Sequence, residues 1–179
     1  MSIKDVVDGL ARAVGAIPPV DRTQRTLTDG SPVSSDHREL RPDGMQKGYV
    51  VLSEAERARG FVRPVRRSYS HVGRPAPANP LRGLTAEESA RYSDCGYIKF
   101  EDYPPGRSPV TGRYWTQADL DKIGKGCGVK TTMGVALAET YARDPGFYGG
   151  TFCCGCGAHF PVGADGEFIW SGTNDRVGT

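Results

Sequence analysis

The chain has 179 residues and a net charge of +2, and 37% of its side chains are apolar. Glycine (24) and proline (13) together make up about a fifth of the residues, which predicts one small, loop-rich domain with an extension. No apolar run approaches the length of a membrane span, so we expect no membrane-spanning helix. The small basic excess also argues against a protein dedicated to nucleic-acid binding.

Residues 1–48 are predicted to form a short amphipathic helix followed by a polar arm. Ser2 can cap the helix, and its apolar residues recur at helical spacing: Ile3, Val6, Val7, Leu10 and Val14. Charged side chains interrupt this stretch, so we expect no signal peptide and a cytoplasmic protein. Residues 20–48 are polar and rich in turn pairs, which is typical of an arm that does not fold alone. A helix this short needs a docking surface on the main domain or on another chain.

Residues 49–179 are predicted to form the main domain, in which short helices alternate with short strands. Capping boxes predict the starts of three helices, at Ser53, Thr85 and Thr116. The best helix of the second half is expected at about Thr132 to Arg143. Strands are expected at residues 49–52, 97–100 and 167–170. The pattern indicates an α+β fold without an internal repeat.

A basic segment runs from Arg57 to Arg74, in contrast to an acidic C-terminal half. Residues 1–82 carry 14 Lys or Arg against 9 Asp or Glu, whereas residues 83–179 carry 9 against 12. The basic segment contains six arginines and no acidic residue: Arg57, Arg59, Arg63, Arg66, Arg67 and Arg74. It is typical either of a solvated, extended stretch or of a surface that contacts nucleic-acid phosphates. In the second case the aromatic residues that could stack on bases are Tyr69, Tyr103, Tyr114 and Trp115.

The most informative motif is Cys153-Cys154-Gly155-Cys156-Gly157, which predicts half of a zinc site. Two cysteines separated by two residues can present both thiolates to one ion, and the glycine after them tolerates the positive φ of the turn. Cys127, followed by Gly128, offers a third thiolate. In a protein with reduced thiols such a cluster favours metal over disulfides. The alternative is a set of buried cysteines without metal. Cys154 is expected to face away from the ion.

The fourth ligand of such a site has three candidates. His159 lies three positions after Cys156 and is the nearest along the chain. Cys95 would complete a set of four thiolates, and His71 lies farther away at the expected end of a strand. Zinc accepts each of these donors in a tetrahedral site. Spacing alone favours His159.

The stretch from Ala138 to Cys153, with His159-Phe160-Pro161-Val162 after it, resembles small, functionally uncharacterised zinc-binding proteins encoded by actinobacterial phages. Tyr69-Ser70-His71 and Gly126-Cys127-Gly128 are similar to the same group, and the resemblance covers about residues 45–179. The resemblance implies four zinc ligands: His71, Cys127, Cys153 and Cys156. His71 and Cys127 lie 56 positions apart, whereas the two lie close together in shorter members of the group. The resemblance implies a place in the host cell or in the virion and brings no assigned activity.

No pattern for enzymatic chemistry accompanies these cysteines. The sequence has no His-Glu-x-x-His, no His-x-Glu to accompany the Cys-x-x-Cys, no Gly-rich phosphate loop and no Gly-x-Ser-x-Gly. We therefore expect a non-enzymatic, zinc-stabilised module that acts through contacts with a phage protein, a host protein or a second copy of itself. The alternative is a nucleic-acid-binding zinc protein that uses the basic segment. The expected fold is a small, loop-rich, zinc-stabilised α+β domain with short strands and short helices.

Overall fold

A computed structural model describes residues 16–102 and 113–179. The predicted N-terminal helix and Tyr103 lie outside these described residues. Within them the strands are three to five residues long. They are β1 (Arg25–Leu27), β2 (Val50–Leu52), β3 (Ser68–His71), β4 (Leu81–Gly83), β5 (Tyr97–Glu101), β6 (Tyr114–Thr116), β7 (Lys130–Thr132), β8 (Gly150–Cys153), β9 (Ala158–Pro161) and β10 (Phe168–Trp170).

Four α-helices lie in the described ranges: α1 (Glu54–Arg57), α2 (Ala86–Tyr92), α3 (Gln117–Asp121) and α4 (Val135–Arg143). Single 3-10 turns follow α2 at Ser93–Cys95 and α4 at Pro145–Phe147. The helices are four to nine residues long, and loops connect most of the elements. This mixture of short strands and short helices confirms the predicted small, loop-rich α+β fold.

Side-chain caps explain where the predicted short helices begin. Thr85 accepts a hydrogen bond from the N–H of Glu88, whose carboxylate accepts one from the N–H of Thr85. Thr116 and Asp119 form the same reciprocal pair at the start of α3. At α1 the Ser53 hydroxyl accepts from the N–H of Glu56. These caps satisfy backbone N–H groups that have no partner within the first turn.

Helix α4 begins three residues later than the predicted start at Thr132. Thr132 belongs to β7, and Gly134 takes the N-cap position with φ −65° and ψ 159°. Between them the N–H of Met133 donates to the carbonyl oxygen of Arg67 at 2.8 Å. The β-branched Thr131 and Thr132 favour a strand, and this pairing holds the chain extended up to Gly134. The predicted helix start was therefore wrong by about one turn.

The chain divides into two units, and each unit is built from two separated segments. Unit 1 comprises the described residues up to Arg67 together with Thr132–Tyr148. In it β1 and β2 pair antiparallel, with Thr26 opposite Val51, and α4 contacts β2. The buried apolar side chains of this unit include Val51, Leu52, Ala138, Tyr141 and Ala142. Strand β1 lies in the predicted polar arm, so part of that arm is held by strand pairing.

Unit 2 comprises Ser68–Thr131 and Gly149–Thr179. It contains a sheet of order β10-β3-β7, a sheet of order β4-β5-β6 and the hairpin β8-β9. Across β3 and β10, His71 lies opposite Phe168. The buried apolar side chains of this unit include Tyr69, Trp115, Phe168, Trp170 and Val177. Its core is therefore small and largely aromatic.

The two ends of the segment of unit 2 that carries β4-β5-β6 lie side by side in space and are hydrogen-bonded to each other. The N–H of Arg74 donates to the carbonyl oxygen of Lys122 at 3.0 Å, and the N–H of Gly124 donates to that of Arg74 at 3.0 Å. We call these hydrogen-bonded ends, Arg74, Lys122 and Gly124, the neck. Gly73 allows the two sides to approach so closely, because a Cβ at its position would lie under 3.0 Å from the backbone of residues 124–126. The neck therefore joins the residues just after His71 to those just before Cys127.

Across residues 16–102 and 113–179, no helix combines the length and the apolar character that crossing a bilayer would require. The predicted division into an arm over residues 1–48 and a domain over residues 49–179 stays a prediction.

Candidate metal centre

Four predicted ligands meet in one cluster within unit 2. The ligand atoms of His71, Cys127, Cys153 and Cys156 all lie within 4.8 Å of one another. The sulfurs of Cys127 and Cys153 are 3.4 Å apart, and the sulfur of Cys156 is 3.4 Å from Nδ1 of His71. Two sulfurs bound to one tetrahedral zinc ion at about 2.3 Å would lie about 3.8 Å apart. The four side chains are thus at metal-binding distance.

Gly126 and Gly128 bring Cys127 beside strand β3. The N–H of Gly128 donates to the carbonyl oxygen of His71 at 2.8 Å, and the N–H of His71 donates to that of Val129 at 3.3 Å. A Cβ on Gly126 would lie under 3.0 Å from the His71 carbonyl group, so a side chain there would prevent this approach. Gly128 has φ +73°, a conformation that glycine adopts without strain. The Gly-Cys-Gly sequence is therefore what places the third thiolate.

The hairpin β8-β9 presents Cys153 and Cys156 from its tip. The N–H of Gly157 donates to the carbonyl oxygen of Cys153 at 2.9 Å, and Gly157 has φ +64°. The positive φ predicted after the second cysteine is confirmed. A Cβ on Gly155 would lie 3.1 Å from the sulfur of Cys127. Gly155 therefore leaves room for the third thiolate, and Gly157 allows the turn itself.

The His71 ring is held on both nitrogens. Nδ1 faces Cys156, and Nε2 lies 2.9 Å from Oε2 of Glu167. The rings of Phe160 and Phe168 pack against the imidazole at centroid distances of 4.3 Å and 5.0 Å. His71 and Glu167 are both buried. Sequence reasoning missed Glu167, because a single glutamate at the start of a strand carries no local signal.

The three cysteines of the cluster differ in exposure, and two of them differ in the pKa of the thiol. Cys153 is buried, whereas Cys127 and Cys156 are exposed. A hydrogen bond from the N–H of Val129 lowers the pKa of Cys127 to about 6. The hydrogen bond with Cys127 raises the pKa of Cys156 to about 12. At neutral pH the metal-free cluster therefore has a thiolate at Cys127 and a proton on Cys156, which a metal ion would displace.

The other candidates for the fourth ligand lie outside this cluster. His159 stands on β9 with its ring 5.3 Å from that of Phe152, and burial lowers its pKa. Cys95 is exposed at the end of a 3-10 turn. The group of residues that could hold a metal contains His71 instead. Proximity along the chain favours His159, but pairing of β3 with β10 and with the Cys127 segment brings the distant His71 closer.

Cys154 faces away from the cluster, as expected. Its sulfur accepts a hydrogen bond from the Thr131 hydroxyl at 3.3 Å, and its N–H donates to the same oxygen at 3.1 Å. Both contacts tie the turn between Cys153 and Gly157 to β7. Cys154 therefore bonds to Thr131 and does not belong to the group of candidate ligands, although it follows Cys153 directly.

The arginines of the basic segment fall in both units. In unit 1, Arg57 lies 2.8 Å from Glu139 and Arg59 lies 2.8 Å from Glu56. Nε of Arg67 donates to a backbone carbonyl oxygen at 3.2 Å. The remaining two arginines of the segment in this unit are Arg63 and Arg66. Carboxylates therefore pair with Arg57 and Arg59 in this unit.

In unit 2, Arg74 forms an ion pair with Asp119, and its guanidinium lies 4.6 Å from the ring centroid of Trp115. Trp115 and Tyr69 are buried, with exposures of 1% and 2%. Tyr114 is half-buried and packs against neighbouring rings. Two of the aromatic residues considered for base stacking thus belong to the core, and Tyr103 lies outside the described residues.

Comparisons with models of known protein families, with curated proteins and with solved structures gave no match to this chain. The resemblance to phage-encoded proteins stays a prediction.

Proposed function

We propose that the chain is a non-enzymatic module in which a zinc ion stabilises unit 2 and which acts through contacts with another protein. The observation that carries the first part is the complete donor set of His71, Cys127, Cys153 and Cys156. Three thiolates and one imidazole are a common ligand set of structural zinc. Four protein ligands leave no coordination position for water or substrate, which supports a structural role over a catalytic one.

The choice of zinc rests on the chemistry of the donors. Thiolates and imidazole suit zinc, whereas carboxylate and carbonyl oxygens suit magnesium and calcium. The ligands come from three separate parts of unit 2: the end of β3, the Gly-Cys-Gly segment and the tip of β8-β9. One ion would tie these parts together in a unit whose buried core is small. Such binding energy contributes directly to folding.

Contact with a protein is supported by exposed apolar side chains in unit 1. Phe61, Val62 and Val65 are 38%, 48% and 42% exposed and lie close together in sequence. We call residues 61–65 the apolar segment. Exposed apolar groups flanked by arginines are typical of protein interfaces. The partner we propose is a phage protein, a host protein or a second copy, met in the host cytoplasm or in the virion.

Nucleic-acid binding by the basic segment is the weaker alternative. Arg57, Arg59 and Arg74 of this segment bind carboxylates. A phosphate would have to compete with these ion pairs. A dedicated phosphate-binding surface normally presents its cations without such partners.

The metal part of the proposal is tested by elemental analysis of four purified proteins. Wild type, His159→Ala and Cys95→Ser should each contain about one zinc per chain, because their four ligands are intact. His71→Ala should lose most of its zinc. His159 and Cys95 are matched controls, since each is of a ligand type but lies outside the cluster. A wild type without metal, or a loss confined to His159→Ala, would refute this assignment.

The partner part is tested with a charge placed in the apolar segment. Val62→Asp should abolish self-association measured by light scattering, or binding to a purified candidate partner, with the zinc content unchanged. Val33→Asp is the matched control, because Val33 is 41% exposed in the same unit and outside the segment. Equal binding by wild type and Val62→Asp would remove the apolar segment from the proposal.

A further inference from the structure

Among the described residues, Glu167 is the only acidic residue whose carboxylate pairs with His71. Oε2 of Glu167 lies 2.9 Å from Nε2 of His71, and the two side chains are 8% and 3% exposed. A buried carboxylate is costly unless it is hydrogen-bonded. The carboxylate of Glu167 is hydrogen-bonded to Nε2, whereas the other ring nitrogen, Nδ1, faces the sulfur of Cys156. This position indicates that Glu167 acts on the histidine.

The main chain fixes where this carboxylate stands. The carbonyl oxygen of Glu167 accepts hydrogen bonds from the N–H groups of Val72 (2.9 Å) and Gly73 (3.0 Å). The N–H of Glu167 donates to the carbonyl oxygen of Pro161 at 2.9 Å. These bonds tie Glu167 to the residues that follow His71 on one side and to the end of β9 on the other. The carboxylate thus has little freedom to leave the imidazole.

The hydrogen bond also decides which ring nitrogen is available to a metal. A neutral imidazole has one nitrogen that donates and one that accepts. An N–H on Nε2 can donate to the carboxylate, and the lone pair then stays on Nδ1. Nδ1 is the nitrogen that lies 3.4 Å from the sulfur of Cys156 and faces the cluster. Phe160 and Phe168 restrict rotation of the ring out of this orientation.

We infer that Glu167 is a positioning residue of the metal centre: it holds His71 in the tautomer and orientation in which Nδ1 binds the ion. This inference rests on the proposed zinc site and deepens it. Carboxylates that accept the second N–H of a metal-bound histidine commonly orient the ring and raise its basicity. Glu167 acts through His71 and needs no contact with the metal.

The test is zinc affinity, measured by competition with a chromogenic chelator. Glu167→Ala should lower the affinity about 10- to 100-fold. Glu167→Gln should lose less than about tenfold, because its amide oxygen can still accept the Nε2 N–H. Asp165→Asn is the control, since Asp165 pairs with Arg113 on the surface, two positions away. It should bind zinc like wild type.

Two further readouts separate positioning from a general structural role. The absorption spectrum of bound Co²⁺ reports its sulfur and nitrogen ligands, and Glu167→Ala should shift it towards that of His71→Ala. In a His71→Ala background, Glu167→Ala should have no further effect on affinity, because the two residues act as a unit.

A zinc affinity of Glu167→Ala within about twofold of that of Asp165→Asn would overturn this inference and leave the proposed zinc site in place. A loss that is equally large in the His71→Ala background would also overturn it, since Glu167 would then act without His71. A wild-type protein that binds no metal would overturn the proposed zinc site and this inference with it. If Glu167→Ala does not fold, Glu167→Gln takes its place: its affinity should fall by about two- to tenfold, and an affinity within about twofold of that of Asp165→Asn would overturn the inference.

Discussion

Arg143 and Glu56 form a fully buried ion pair in unit 1, with Nη2 of the guanidinium 2.8 Å from Oε1 of the carboxylate and exposures of 1% and 0%. The same guanidinium donates to the carbonyl oxygens of Pro18 (2.7 Å) and Pro19 (3.2 Å). The N–H of Asp21 donates to Glu56 at 3.2 Å. The pair therefore joins α4 and α1 to the segment that precedes β1.

Arg143→Ala should destabilise unit 1 by about 3–5 kcal/mol, because the buried carboxylate of Glu56 loses its buried counter-charge and keeps only the partly exposed Arg59. Hydrogen exchange of the α4 amides, resolved by mass spectrometry, would measure the loss. Arg22→Ala is the control: Arg22 binds Asp144 at 2.6 Å but its side chain is 58% exposed, so less than about 1 kcal/mol is expected. Similar effects of the two substitutions would show that the buried pair has no special role.

Cys153→Ser and Cys154→Ser should behave oppositely although they are neighbours. Cys153 is a buried member of the donor set, so its substitution should remove zinc and unfold unit 2. Cys154 faces Thr131, and its substitution should leave the zinc content at the wild-type level. Zinc analysis and near-ultraviolet circular dichroism would measure both effects. A folded, metal-free Cys153→Ser protein would contradict the structural role of the ion.

Zinc affinity should rise with pH. The pKa of Cys156 is raised to about 12, so near neutral pH its proton must leave when zinc binds, and affinity should increase at least about tenfold per pH unit. The pKa of Cys127 is lowered to about 6. Below that pH the proton on Cys127 must be displaced as well, and the dependence should become steeper. Chelator competition across the pH range would measure the slope, and a flat profile would argue against thiolate ligation.

Gly126→Ala should weaken zinc retention and destabilise unit 2 by about 1–3 kcal/mol, the usual cost of forcing atoms into a packed site. The added Cβ would meet the carbonyl group of His71 and push Cys127 away from the donor set. Gly149→Ala is the control in the same unit, because no atom lies within 4 Å of a Cβ at that position. Thermal unfolding and zinc release to a chelator would be measured for both. Retention of zinc by Gly126→Ala equal to that of Gly149→Ala would refute the close-approach argument.

Local sequence signals predicted the features that depend on neighbours along the chain. The turn at Gly157 and the cap pairs of Thr85 and Thr116 each require only a few adjacent residues. The orientation of Cys154 likewise follows from its place inside the Cys-x-x-Cys pair. These features could be predicted because steric and hydrogen-bonding rules for turns and caps act over three or four residues.

Features that depend on strand pairing could not be predicted in this way. His71 joins the donor set through pairing of β3 with distant segments, and residue spacing alone points to His159. Glu167 has no motif, and its partner lies 96 positions away. Tyr69 and Trp115 each carry one polar group and could lie at a surface, yet both are buried. In each case the deciding contact is long-range, and composition and periodicity carry no information on it.

The neck formed by Arg74, Lys122 and Gly124 has a consequence for how this protein can vary. The chain leaves β3 after His71 and returns to the same place before it reaches Cys127, so the 56 positions between these two ligands add no distance in space. We expect changes in length between the two sides of the neck to leave the donor atoms in place, because the hydrogen bonds of Arg74 with Lys122 and Gly124 hold the two sides together. The length of this region is therefore expected to be independent of the geometry of the metal centre.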